Sequence, residues 1–121
     1  MTTTHHAVRE TDLPLPGRRQ GKVRDIYDVP AADGRPPAVL IIASDRISAF
    51  DVVMPDPVPG KGCELTRIST EWFEKVREQD IIKDHLISTR PEDVPGLDLA
   101  HYPQCEGRMM LGRAADVIPV E

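Results

Sequence analysis

Six charged side chains, Lys22, Arg24, Asp45, Arg46, Asp51 and Lys61, lie between Gly21 and Gly62, close to turn residues or to the ends of apolar runs. Turns and strand ends on a rigid scaffold are where binding and catalytic groups are usually carried. Lys22 follows Gly21, and Arg24 stands two positions on. A glycine lets backbone approach a ligand, and an ammonium beside a guanidinium can hold phosphate oxygens. The run Gly17-Arg18-Arg19-Gln20-Gly21-Lys22-Val23 is not a Walker-type loop, because its spacing is one residue short and Val23 stands where a Ser or Thr would hold magnesium. The same residues also read as a solvated basic turn with no ligand.

A second constellation, Asp45-Arg46-Ile47-Ser48-Ala49-Phe50-Asp51, gathers two carboxylates, a guanidinium and a hydroxyl after an apolar run. Strand ends of this kind commonly carry ligand groups. A structural reading competes with that one: Asp45 and Ser48 would cap a turn through bonds to backbone amides, and Arg46 would pair with a neighbouring carboxylate. Lys61 lies between Gly60 and Gly62 just ahead of a helical pattern, where helix-end donors favour an anion. Its alternative is a solvated lysine on the approach to a helix.

These groups need a sheet and a helix to place them. Lys22 to Val29 reads as a strand with Val23, Asp25, Tyr27 and Val29 on one face, an imperfect alternation that predicts an exposed or bulged edge. Asp33–Gly34 signals a reversal and a hairpin. The continuous apolar run from Ala38 to Ala43 predicts a strand covered on both faces. Phe50 to Met54 is expected to return antiparallel, stopped by Pro55, Pro57 and Pro59. A helix is expected over Glu64 to Glu78, with Leu65, Ile68, Trp72 and Val76 on one stripe and with Trp72 and Phe73 as core anchors against the sheet. Short strands over His85 to Ser88 and Met109 to Arg113 flank a Pro-rich loop from Thr89 to Glu106. The expected fold class is α+β, a mostly antiparallel sheet with one main helix. Residues 1–16 show neither period and read as a flexible lead-in to a lobe over 17–121.

A chain of 121 residues makes one domain, or part of one, rather than two. Its twelve prolines, about double the usual ~5%, fall in connections. A net charge of −5 argues against DNA, RNA or an anionic membrane as main partner, so neither nucleic acid nor membrane is expected. The stretch from Gly17 to Arg24 nevertheless carries Arg18, Arg19, Lys22 and Arg24 without a carboxylate. No apolar run reaches the ~18 residues of a membrane span, and the polar start lacks a signal-peptide stretch, which makes the cytoplasm the expected location. Cys63 and Cys105 have no CxxC spacing or companion histidine, so reduced, unligated thiols and no metal site are expected.

Four strings in order, GKVRDIY from Gly21, ASDRISAFDV from Ala43, PGKG from Pro59 and VIPVE from Val117, resemble the phosphoribosylaminoimidazole-succinocarboxamide synthase (SAICAR synthetase) family. The likeness runs from Gly21 to Glu121, weakens across residues 80–106 and is missing from the first twenty. It implies the N-terminal lobe of a two-lobed, ATP-using, Mg²⁺-dependent ligase that joins L-aspartate to carboxyaminoimidazole ribotide in purine biosynthesis. On this resemblance Gly21, Lys22, Val23 and Arg24 contact the ATP phosphates, and Arg113 to Val117 lie beside adenine. Asp45, Arg46, Ser48, Asp51, Lys61 and Glu121 form the substrate side, with Asp51 and Glu121 in catalytic roles. Gly112–Arg113 stands where relatives frequently have lysine-containing pairs, which leaves backbone contacts to adenine in place but not a specific Arg113 contact. The magnesium ligands and the second lobe that closes the cleft would follow Glu121, so the chain is expected to need a C-terminal lobe and to be inactive alone. A small-molecule kinase lobe and a non-catalytic nucleotide-binding module are the competing readings.

Overall fold

The computed structural model describes residues 7–32, 34–95, 97, 102–116 and 118–119. In chain order the elements are β1 (Arg19–Gln20), β2 (Arg24–Val29), β3 (Ala38–Ala43), β4 (Ser48–Ala49), β5 (Val52–Val53), α1 (Lys61–Glu78), β6 (Leu86–Ser88) and β7 (Met109–Arg113), with 3₁₀ turns at Pro91–Asp93 and Pro103–Cys105. A five-stranded sheet has the order β1-β2-β3-β7-β6 with every neighbour antiparallel, and β4–β5 form a separate hairpin. The expected α+β class, one main helix with an antiparallel sheet, is what the chain forms.

The period-two pattern divides the sheet into two unlike faces. On the first, Tyr27, Val29, Ala38, Leu40, Ile42, Met109 and Leu111 are buried with Leu13, Val94, Leu97 and Cys105 in a single apolar core. The described part of the segment expected to be a flexible lead-in, residues 7–16, is docked here. Thr11 is buried and donates from both N–H and Oγ1 to Asp25 Oδ2, at 2.7 and 2.8 Å, while the Leu13 amide donates to the Tyr27 hydroxyl at 3.3 Å. Local period could not reveal this, because the segment earns its place by covering a sheet rather than by forming an element. Asp25 likewise broke the apolar alternation of β2 because it is a buried hydrogen-bonding partner; β2 is not an open edge there, being paired with β1 (Arg19↔Ile26, Gln20↔Asp25). The strand starts at Arg24 rather than Lys22 because Gly21 N–H donates to the Arg24 carbonyl at 2.7 Å, closing a tight turn.

The second face, Arg24, Ile26, Asp28, Val39, Ile41, Ala43 and Met110, is half-buried or exposed, so β3 is not covered equally on its two sides. Helix α1 crosses one end of this face. Its buried residues are Gly62 and Thr66, with Phe73 half-buried further along, whereas Leu65, Ile68 and Trp72 are exposed. The expected apolar stripe is therefore not the packed one. Trp72 is 63% exposed and carries Lys75 over its ring at 5.0 Å, and Phe73 sets its ring edge-on to His85. The helix also begins three residues earlier than expected, at Lys61, behind Gly60 in the left-handed region (φ 84°).

The antiparallel return expected over Phe50 to Met54 falls at Val52–Val53, whose partner is β4. The segment turns back on Ser48–Ala49 as the β4–β5 hairpin, with Phe50 (φ 50°) and Asp51 (φ 63°) both left-handed at the tip. Asp33 lies outside the described residues, but the Ala32↔Arg35 bridge closes the expected reversal between β2 and β3.

Helix and sheet meet at Gly62. A Cβ there would stand 2.1 Å from the Ala43 carbonyl oxygen and 2.7 Å from Arg108 Nη1. Backbone cannot yield as a flexible side chain does, so Gly62→Ala should destabilise the fold by about 2–3 kcal/mol, read as a lowered denaturant midpoint with an unchanged m-value.

Candidate functional site

Beneath the β1–β2 turn, between α1 and the second sheet face, lies a groove of about 440 Å³. Ile41 and Met110 contribute its apolar floor, Phe73 and Leu65 come from the helix, and Arg24, Lys61 and Arg108 supply charge. Among the described residues no carboxylate lines it. A wider depression of about 1550 Å³ on the neighbouring surface shares Lys61 and Arg108 but carries mixed charge, including Glu10, Glu64 and Glu106. The uniform sign of the smaller groove makes it the better anion site.

The turn that roofs this groove is tied down carbonyl by carbonyl. Arg46 donates from Nη2 to Gly21 O (3.1 Å) and from Nε to Lys22 O (3.0 Å), and Ser44 donates from N and Oγ to Val23 O (3.1 and 2.6 Å). Arg46 also donates to the Arg9 carbonyl and to Asp25 Oδ1 at 2.9 Å. Its guanidinium is a clamp, with all three nitrogens donating to the protein's own oxygens. Asp45 is likewise saturated: it is fully buried and accepts from Val8 N (2.8 Å), Gly60 N (3.3 Å), Gly62 N (2.9 Å) and both terminal nitrogens of Arg108 (2.8 and 3.3 Å). The structural reading therefore holds for Asp45 and Arg46, and the anion favoured by the start of α1 is the protein's own Asp45. Sequence spacing could not separate these two from Ser48 and Asp51, because the difference lies in partners from distant segments.

Ser48 and Asp51 stand on the β4–β5 hairpin and are exposed. Asp51, 89% exposed at its side chain, meets Lys22 Nζ at 2.5 Å, which brings two sequence-predicted site residues together across 29 positions. Positive φ at two successive non-glycine residues costs about 1 kcal/mol or more at each, and such strain tends to persist where a side chain must be aimed. Arg24 and Lys61 face the groove. Arg113 does not: it ends β7 near Arg77 and Asp84, and its amide donates to His85 O at 2.8 Å. Val117 and Glu121 lie outside the described residues. Arg108 was missed by sequence reading. Its signal was a lone arginine directly before the apolar strand Met109–Leu111, in register with the groove-facing Met110.

Burial is the largest single influence on both Asp25 and Asp45 and pushes each carboxyl up, but partners outweigh it. Thr11 hydroxyl and amide with Arg46 lower Asp25; Arg108 with the Val8 and Gly62 amides lowers Asp45. Lys61 is held below the usual lysine value by burial and by Arg46, against the attraction of Asp45. Burial pushes the Cys105 thiol up to about 11, leaving it protonated and inert. Among the described residues, no group of three or more His, Cys, Asp or Glu side chains could hold a metal ion, and no helix is long and apolar enough to cross a membrane.

An antiparallel sheet with one main helix matches solved SAICAR synthases. A structure described as SAICAR synthase superposes with a TM-score of 0.77 at 34% identity, covering 93% of this chain and 39% of that one. The SAICAR synthase of Saccharomyces cerevisiae complexed with SAICAR gives 0.71 at 33% identity, covering 93% and 38%. The SAICAR synthetase family model matches residues 18–121, and the chain belongs to that family. Phosphoribosylaminoimidazole-succinocarboxamide synthases of Geobacter sulfurreducens and Pelobacter propionicus are 48% and 44% identical over 91% and 96% of this chain. The chain spans 34% and 37% of those relatives' lengths.

Two buried carboxylates held below their ordinary range bind fewer protons folded than unfolded. Their stabilisation is full above the unfolded value of about 4 and is lost as pH falls through the lower native values. The thermal midpoint should therefore be flat from about pH 5 to neutrality and fall steeply below about pH 4. Asp45→Asn should cost about 3–5 kcal/mol at neutral pH, because Arg108 would be left without its counter-charge, and should flatten the acid limb in circular-dichroism melts.

Proposed function

We propose that this chain is the nucleotide- and substrate-binding part of a cytoplasmic ATP-dependent ligase of purine biosynthesis, joining L-aspartate to carboxyaminoimidazole ribotide with release of ADP and phosphate. The observation that carries this reading is the carboxylate-free groove under the Gly21–Val23 turn, in a chain of the SAICAR synthetase family. Adenine would lie on Ile41 and Met110, and the phosphates would run toward Lys22 and Arg24. A carboxylate is a poor acyl donor to an amine. Transfer of the terminal phosphoryl group to a ribotide carboxylate oxygen, with ADP leaving, makes a competent leaving group. The aspartate amine then attacks the carbonyl carbon, the C–O bond to phosphate breaks, and the amine loses a proton. The protein's share is positioning and charge neutralisation.

In this reading the Lys22–Asp51 pair is an exchange point. Exposed pairs are worth about 0–1 kcal/mol, so an incoming phosphate can take Lys22 and leave Asp51 free to accept from the ring amine of the ribotide. Ser48 and Glu121 would orient the same substrate, with Lys61 on its side of the cleft. Magnesium, which the family resemblance implies, finds no ligand cluster among the described residues. A C-terminal lobe would complete the cleft.

The test is ADP release by the protein carrying this chain, assayed with ribotide in the presence and absence of aspartate. Aspartate-dependent release is expected; release without aspartate would instead indicate a kinase. In that assay Asp51→Asn should lower kcat about 100-fold with little change in the nucleotide KM, and Lys22→Ala should raise the nucleotide KM about tenfold or more. The 121 residues by themselves should bind ATP without turnover, and aspartate-dependent product from them alone would overturn the requirement for a second lobe.

A further inference from the structure

Two of the cations that line the groove carry donors that the described residues leave unused. The Arg108 side chain is only 6% exposed. Its Nη1 and Nη2 are committed to Asp45, and Nη1 also reaches the Ala43 carbonyl at 3.1 Å, but its Nε–H has no partner among the described residues. A buried donor without an acceptor forfeits its hydration, and the loss is larger when the group is charged. Lys61 is in a similar position. Its ammonium has three N–H donors, and its hydrogen bond among the described residues is to the neutral carbonyl of Arg46, at 2.8 Å. The depressed lysine pKa follows from this placement: the charge is partly buried, Arg46 repels it, and Asp45 already answers to Arg108.

Geometry brings these groups to one place. Arg24 stands opposite Ala43 on β2, and Ala43 N–H donates to the Arg108 carbonyl at 2.8 Å, so two arginine positions flank Ala43 across three adjacent strands. Gly62, lacking a Cβ, lets the start of α1 sit on the Ala43 carbonyl, which brings Lys61 alongside. Arg24, Lys61 and Arg108 all line the groove, together with the hydroxyl-bearing Ser44, Thr66 and Ser69.

We propose that Arg108 Nε and Lys61 Nζ form an oxyanion subsite in the groove, distinct from the Lys22 turn, which takes a phosphate or carboxylate group of a reactant. The subsite rests on the reading of this groove as a reactant site and names the group that these two donors hold. The oxyanion has two possible sources, the terminal phosphates of the nucleotide and the acidic groups of the ribotide.

The sources separate in a titration of the ¹⁵N-labelled chain with pyrophosphate, ATP, AMP and carboxyaminoimidazole ribotide. The readouts are the Arg108 Nε–H resonance, assigned through side-chain couplings, and dissociation constants for the wild type, Lys61→Gln and Lys61→Arg. With the nucleotide as source, the Nε–H resonance moves on adding ATP or pyrophosphate, and Lys61→Gln weakens both by about tenfold, the effect of one charge-assisted hydrogen bond. AMP affinity stays unchanged, and Lys61→Arg restores most of the loss. A shift and a Lys61 dependence seen with ribotide alone support the subsite and assign it to the acidic substrate. Failure of ATP to bind alongside that ribotide response overturns the nucleotide reading and leaves the subsite standing. Normal ATP or ribotide binding with an unmoved Nε–H and no effect of Lys61→Gln overturns the subsite and leaves the nucleotide reading intact. Absence of binding by all four probes overturns both.

Discussion

One buried carboxylate holds the working end of this molecule together. Asp45 accepts from the Val8 amide, from two amides at the start of α1 and from both terminal nitrogens of Arg108, so three segments remote in sequence converge on two oxygens. Each partner needs the others. Arg108 without Asp45 would be an uncompensated buried cation, and the first amides of α1 would lose an acceptor at a helix end that has no side-chain cap of its own. Asp45 without its five donors would itself be unaffordable in the interior. The arrangement gives α1 a fixed start on β3, and that start determines where Lys61 stands.

A second ion pair, Asp25 with Arg46, repeats the device one strand away and adds to it. Asp25 fastens the segment around Thr11 to the first sheet face, while Arg46 reaches back to the carbonyls of Gly21 and Lys22. Core and site are therefore joined through one guanidinium. With the carbonyls of Gly21, Lys22 and Val23 all turned toward residues 44–46, the roof of the groove is held in shape before any ligand arrives, which is the condition for binding without an ordering cost. The single motif from Ala43 to Val52 thus divides its labour: Ser44, Asp45 and Arg46 build the scaffold, and Ser48 and Asp51 are presented on a strained hairpin beyond it.

The contrast between the two ends of α1 follows from the same constraint. At its start the helix is pressed on the sheet so closely that only glycine fits, and Thr66 is the next residue buried. Elsewhere on the helix Ile68 and Trp72 are exposed, and so is the groove-lining Leu65, although their spacing is that of a packed stripe. A hydrophobic period shows that a helix has an apolar side. It does not say which side the neighbouring element occupies, and here small residues at the contact outweigh large ones elsewhere.

Much of the architecture was legible from residue order. The apolar run from Ala38 to Ala43, the strand from Met109 to Arg113 and the reversal at Gly34 are local signals, since turn chemistry and side-chain alternation act over a few bonds. The four family strings were legible for the same reason, and so was the collection of cations around Gly21. Only the tertiary structure decided which charged residues belong to the scaffold and which to the groove. Asp45 and Asp51 are both aspartates of one motif, yet one is fully buried among five donors and the other projects from a turn to meet Lys22. Arg108, invisible to the spacing of the other motifs, enters the groove because β7 pairs with β3. The role of a charge depends on its desolvation and on its partners, and both are set by segments far away in sequence.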